Sequence, residues 1–251
     1  MSFQVKLGSY EFGDFVDTFE IQQDSRVEQV AIPRRHGYMS DVGYRGGMSI
    51  RIGGLIYNDD YTVARTQFNL LKNAFQLGKS DLTVFSDRKI SVQKTSFQVS
   101  YEDQDLRRFR WEAQLASDDF GFVDVDPTVE SVDAAASPQE DVIANPGNLE
   151  TNHVMRITAN TDNIASGIRI DNLTTGKYFI YNAQIDAGDY IEIDTDLLTV
   201  VDNAAANKIA SFSGDFFQLA SGNNTIRWTG TATGATKPNY TMTYRGKYDG
   251  I

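Results

Sequence analysis

The sequence contains no cysteine and little histidine, and each of these facts excludes a class of site. Without cysteine, disulfide bonds, thiolate metal sites and a cysteine nucleophile are excluded. The two histidines, His36 and His153, lie far apart and belong to no HExxH or HxH pattern, so a histidine-based zinc site is not expected.

Long apolar segments are also absent. No apolar run approaches the roughly 20 residues that a membrane-spanning helix needs. The first residues lack the basic segment followed by an apolar one that marks a secretory signal. We therefore expect a protein that is made in a cytoplasm and does not insert into a membrane.

Positive charge is scarce relative to negative charge. The 251 residues include 23 Lys and Arg against 34 Asp and Glu, a net charge of −11. A dedicated nucleic-acid binder must neutralise phosphates, so this balance argues against one. Most of the basic residues lie in the first half of the chain. They serve either simple solubility or charged contacts with a partner, and composition alone leaves both open.

No catalytic constellation is apparent. The serines have no histidine placed to form a triad. Acidic pairs such as Asp59 and Asp60 fall in turns, where carboxylates usually cap helices or face water. We expect no enzymatic activity, no cofactor and no bound metal.

The pattern of apolar residues predicts a mainly β protein. In the first half, Arg108–Leu115 has the clearest two-sided alternation, with Phe109 and Trp111 among the residues of one face. The second half contains about eight short predicted strands between turn signals, one of them at Phe216–Ala220, which favours an antiparallel sandwich. The first half is expected to form a β-barrel or sandwich with one helix.

That single helix is predicted at about 60–77. Asp59 or Asp60 can accept a hydrogen bond from its first free amide groups. Apolar residues then recur on one face, and Gly78 is placed to end the helix. The residues of the apolar stripe are Ala64, Phe68, Leu71 and Phe75.

The composition changes between residues 127 and 150, where three of the five prolines fall. Such a segment is typical of irregular chain. We therefore predict a β domain at 1–126, a linker at 127–150 and a β-sandwich at 151–251.

Several short motifs resemble those of siphophage distal tail proteins. In the first half they are YEFG at 10–13, RHG at 35–37, the stretch from Tyr44 to Ile56 and the strand RFRWEAQL. The second half resembles the galectin-like sandwich of the same family through GIRID at 167–171, FFQL at 216–219 and GNNTIRW at 222–228. The likeness covers most of the chain, in the same order.

The resemblance implies a structural virion protein at the tail tip. The N-terminal domains would form a hexameric ring around a channel through which DNA passes, and the C-terminal domains would project outward. The implied partners are other copies of the chain, the tail tube protein on one side and a hub or fibre protein on the other. A net negative charge suits DNA passage because it disfavours adhesion.

Contact residues are expected in the stretch from Ile32 to Ile56. Arginine is favoured at interfaces because its planar guanidinium pairs well with carboxylates. A solvated loop is the alternative. The candidates for a subunit or tube interface are Arg34, Arg35, His36, Tyr44 and Arg51. Arg108 and Arg110 share a strand face, and we favour a cross-strand charge ladder over a basic patch for them.

A second function remains open, that of a carbohydrate-binding module that attaches the particle to its host. In a sandwich of this type, Tyr178, Tyr181 and Trp228 are the candidates for stacking on a sugar ring. Aromatic residues in strands more often belong to the core.

Overall fold

A computed structural model describes residues 4–13, 16–26, 29–31, 38–40, 44–76, 78–101, 107–134, 136–231 and 238–250, with the side chains of 23–46 outside that description. The chain forms two compact units. The first extends to Val125, and the second runs from Asp126 to Tyr248.

The first unit is built from ten strands and one helix among its described residues. Their bounds are β1 Val5–Leu7, β2 Tyr10–Glu11, β3 Val16–Arg26, β4 Gln29–Ala31, β5 Tyr38–Ser40, β6 Tyr44–Tyr57, α1 Tyr61–Ala74, β7 Lys79–Val84, β8 Arg88–Tyr101, β9 Arg108–Ser117 and β10 Phe122–Asp124.

One antiparallel sheet dominates this unit, with strand order β2-β1-β7-β8-β9-β6-β3 and with β10 paired to β8. Strands β4 and β5 pair separately. The alternation predicted for β9 is confirmed, because Phe109, Trp111, Ala113 and Leu115 are buried. The intervening side chains point to the opposite, solvent-facing side.

Helix α1 covers the apolar face of this sheet. Asp60 caps it by accepting a hydrogen bond from the Thr62 amide at 2.7 Å. Of the predicted stripe, Ala64, Leu71 and Phe75 are buried and Phe68 is partly buried, as expected. The prediction that Gly78 ends the helix is wrong, since α1 ends at Ala74 with Phe75 as its C-cap. In the described part of the chain, no helix has the length and apolarity to cross a membrane.

An aromatic cluster explains why the helix ends where it does. The Phe75 ring lies 5.7 Å from both Phe12 and Trp111, and 5.0 Å from Phe97, between ring centroids. Phe12 stacks on Trp111 at 5.4 Å. Each large ring removes much apolar area from water, so the cluster fixes the last turn of α1 against the sheet.

The second unit is almost entirely β. Its strands are β11 Thr128–Asp133, β12 Gln139–Asn145, β13 His153–Thr158, β14 Ile168–Asn172, β15 Lys177–Tyr181, β16 Tyr190–Asp194, β17 Thr199–Asp202, β18 Phe212–Gly214, β19 Gly222–Thr229, β20 Asn239–Tyr244 and β21 Lys247–Tyr248.

Two five-stranded antiparallel sheets form this unit, in the orders β11-β20-β13-β16-β17 and β12-β19-β14-β15-β18. Their facing side chains make one apolar core that includes Trp228 and Phe217. The predicted sandwich and the mainly β fold with one helix are confirmed.

Two sequence predictions are wrong in this unit. The segment 127–150 is not an irregular linker, because it supplies β11 and β12, one strand to each sheet. A strand predicted at Phe216–Ala220 is also absent from the described structure. That segment makes only an isolated bridge, between Leu219 and Thr151, and the neighbouring strand is Phe212–Gly214 instead.

His153 is a buried histidine in the sandwich. Its ring lies 5.2 Å from that of Phe217, between centroids, and neither ring nitrogen has a hydrogen-bond partner. Burial lowers its pKa to about 3, although Asp194 acts in the opposite direction. The imidazole is therefore neutral in the folded protein at neutral pH.

Mild acid should selectively destabilise the second unit. Below about pH 6.5 His153 binds a proton in the unfolded chain, whereas in the folded chain it stays neutral down to about pH 3. The free energy of unfolding therefore falls by up to about 1.4 kcal/mol per pH unit between these two values. His153→Phe should remove this contribution. Hydrogen exchange of peptides from residues 126–248, measured at pH 7 and pH 5, would test it, and an unchanged pH dependence in the variant would contradict it.

Candidate interaction surfaces

The predicted subunit or tube contacts fall largely outside the described residues. Arg34, Arg35 and His36 lie outside the described residues. For Tyr44 only the backbone is described, at the start of β6. Their interface role stays a prediction. Arg51 is the member of the set whose side chain is described.

Arg51 lies on the solvent-facing side of β6 between two glutamates. Its Nη2 is 2.6 Å from Oε2 of Glu112 on β9, and its Nη1 is 3.5 Å from Oε2 of Glu20 on β3. The hydrogen bond to Glu112 raises the pKa of Arg51, and it lowers the pKa of Glu112. The charge of Arg51 is thus balanced within its own chain.

A second ion pair crosses the same three strands. Arg110 Nη1 on β9 lies 3.0 Å from Oδ2 of Asp17 at a bulge in β3. Gly53 occupies the intervening strand β6, opposite Glu112 on one side and Thr18 on the other. Gly53 is itself buried, and it has no side chain that would project onto this face. The charge ladder predicted for Arg110 is confirmed.

The solvent-facing side of β3, β6 and β9 is therefore a polar surface, which we call the ladder face. A shallow depression on it is lined by Glu20, Gln22, Ser49, Arg51, Glu112 and Gln114. Within the described residues, no group of three or more histidine, aspartate or glutamate side chains is placed to hold a metal ion. The ladder face has the chemistry of a contact surface.

The residues proposed for sugar stacking separate into two environments. Tyr181 and Trp228 are each only 2% exposed and belong to the sandwich core. A buried ring cannot stack on a sugar, so the structure contradicts the prediction for these two. Tyr178 is 38% exposed on the outer side of β15.

Tyr178 belongs to a charged network that the sequence analysis did not assign. The guanidinium carbon of Arg169 lies 3.8 Å from the centroid of the tyrosine ring. Arg169 donates two hydrogen bonds to Oδ1 of Asp171, at 2.6 and 2.9 Å. Arg227 approaches Oδ2 of the same carboxylate at 3.3 Å. These hydrogen bonds hold the pKa of Asp171 below its ordinary value, with Arg169 as the main cause.

The GNNTIRW motif has a structural role through its second asparagine. Asn224 is fully buried. Its Oδ1 accepts from the Ala220 amide at 2.9 Å and from Asn172 Nδ2 at 3.2 Å, and its Nδ2 donates to the carbonyls of Ala220 and Gly222. One side chain thus fixes the entry into β19 and joins it to the end of β14.

Replacing Asn224 should therefore lower the free energy of unfolding much more than replacing Asn223. Asn224→Ala would leave buried backbone groups without partners, and we expect the free energy of unfolding of the second unit to fall by about 2–4 kcal/mol. Asn223 is exposed, so Asn223→Ala is the matched control, with a change within about 0.5 kcal/mol. Urea unfolding followed by hydrogen exchange measures both, and equal effects would contradict this role.

Comparisons with known proteins agree with these features. Residues 146–248 match the family described as siphovirus-type tail component, C-terminal domain. The fold is similar to the crystal structure of the Dit protein of phage SPP1, with a TM-score of 0.71 and 12% identity over 98% of this chain and 99% of that one. A chain of the phage P2 baseplate, in its activated conformation with Ca, gives a TM-score of 0.46 and 10% identity over 100% of both chains. None of the curated protein sequences matches.

The sandwich of the second unit is thus similar to the C-terminal domain of siphovirus-type tail components. The fold of the whole chain is similar to that of a phage Dit protein, in agreement with the resemblance that the motifs indicate.

Proposed function

We propose that six copies of this chain form a ring that joins the tail tube to the host-recognition apparatus. The match of residues 146–248 to the tail-component family carries this proposal. It is supported by the similarity of the whole fold to a protein described as a paradigm of the hub adsorption apparatus in phages that infect Gram-positive hosts. The tail tube protein would bind one side of the ring, and a hub or fibre protein the other.

In this proposal the first unit forms the ring and its channel, and the second unit projects outward. The net charge of −11 would disfavour retention of passing DNA. The ladder face adds little net positive charge, because Arg51 and Arg110 are each paired with carboxylates of the same chain. Because each of these two arginines is matched by at least one carboxylate of its own, they leave no net positive charge to attract the phosphates of DNA.

Arg34, Arg35, His36 and Tyr44 are proposed as the contact residues between neighbouring subunits or with the tube. Arg51 would act with Glu20 and Glu112 as one balanced group, and a partner would exchange ion pairs with it rather than meet a bare positive charge.

Reversing the charges of Arg34 and Arg35 together should prevent ring formation. Arg34→Glu combined with Arg35→Glu should convert the ring, seen by mass photometry and electron microscopy with or without tail tube protein, into monomers. Arg51→Gln should have a much smaller effect, because the charge of Arg51 is balanced within the chain.

The matched control reverses two exposed lysines elsewhere, Lys72→Glu and Lys177→Glu, which changes the net charge equally. Circular dichroism verifies that each variant is folded. Normal rings from the double arginine variant would exclude Arg34 and Arg35 from the interface. A wild-type chain that stays monomeric even with tube protein would overturn the proposed ring itself.

A further inference from the structure

The outer side of the sheet β12-β19-β14-β15-β18 carries the network of Arg169, Asp171, Arg227 and Tyr178. Asp171 and Arg227 are direct neighbours across β14 and β19, and Asp171 and Tyr178 are direct neighbours across β14 and β15. The Asp171 side chain is only 8% exposed, whereas those of Arg169 and Arg227 are 38% and 35% exposed. A nearly buried carboxylate thus holds two accessible guanidinium groups beside an accessible ring.

Stability alone is a weak reason for this arrangement. Exposed ion pairs contribute little to the free energy of unfolding, and desolvating a carboxylate costs free energy. What the carboxylate provides is a fixed position for both guanidinium groups. Two oriented arginines are the usual donors for a phosphate or carboxylate, since their planar N–H groups match its oxygens.

The surroundings restrict what can bind. Thr229 lies opposite Arg169 on β19, so no long side chain stands at that position. Two further carboxylates border the network. Glu140 is opposite Arg227, and the amide of Asp215 binds the carbonyl of Tyr178. These acids disfavour an anion anywhere except between the two guanidinium groups.

The exposed ring adds a second element of recognition. Arg169 stacks over one face of the Tyr178 ring, and Tyr178 is still 38% exposed as a whole residue. Aromatic rings next to hydrogen-bond donors provide an apolar surface for the C–H face of a sugar. The anion and the apolar surface would then be parts of one ligand.

We propose that this network is a binding site for a phosphorylated sugar. Arg169 and Arg227 bind the phosphate, and the exposed part of Tyr178 packs against the sugar ring. Asp171 is a positioning residue that orients both guanidinium groups. The site is separate from the proposed ring contacts, so its test does not depend on assembly.

The experiment uses the full chain and three probes: glucose 1-phosphate, glucose and inorganic phosphate. Chemical shifts of the Arg169, Tyr178 and Arg227 region are followed by NMR during titration, together with calorimetry. We expect glucose 1-phosphate to bind more tightly than either other probe, with an affinity that falls as salt is added. Arg169→Gln with Arg227→Gln should weaken binding by about tenfold or more.

Two variants make the result specific. Arg156 on the other sheet has a similar arrangement, with its guanidinium 4.2 Å from the centroid of the Tyr190 ring and 2.7 Å from the Glu192 carboxylate. Among the described contacts, no second arginine binds that carboxylate. Arg156→Gln should leave binding unchanged. Tyr178→Leu keeps both arginines in place and should abolish the preference for glucose 1-phosphate over phosphate.

The proposal is overturned if glucose 1-phosphate does not bind, if it binds no more tightly than phosphate, or if Arg156→Gln weakens binding as much as the double variant. If the double variant fails to fold, the Tyr178→Leu result decides, since that substitution leaves the ion pairs intact.

Discussion

The register between β6 and β9 determines what each side of the first unit presents. Ten residue pairs run from Met48 opposite Ser117 to Tyr57 opposite Arg108. In this register Gly54 lies opposite Trp111, so the indole has room among the rings that hold α1. Since the side-chain period of a strand is two, a slip of one residue would turn Trp111 to solvent and bring Arg110 into the core. The aromatic cluster and the ladder face are therefore two results of one alignment.

The sequence was sufficient wherever a local pattern specified the structure. The alternation in β9 predicted its buried face, and the apolar stripe with Asp60 predicted the start of α1. The end of the helix could not be predicted from the sequence, because it depends on the rings of Phe12 and Phe97, which are distant from α1 along the chain. The segment 127–150 was misjudged for a related reason. Its prolines and alanines suggest irregular chain, yet pairing with β19 and β20 imposes strand geometry on it.

The charged contacts show a sharper limit. Arg110 and Asp17 are 93 residues apart, and Arg227 and Asp171 are 56 apart. No spacing rule connects such residues, and only the strand order makes them neighbours. The burial of Tyr181 and Trp228 could not be predicted for a similar reason. Each alternates with outward-facing residues along its strand, and the sequence does not show which side of the strand faces the core. Hence the type of fold was predictable, while the chemistry of its surfaces was not.

The distribution of tryptophan has a consequence for following this protein in solution. The chain contains two tryptophans, and each is buried in the core of a different unit. Neither indole nitrogen has a hydrogen-bond partner in the described structure, so both fluorophores sit in apolar surroundings. Replacing either one with phenylalanine would leave a single emitter that reports on one unit alone. The molecule thus carries a separate intrinsic optical probe for each half, without any added label.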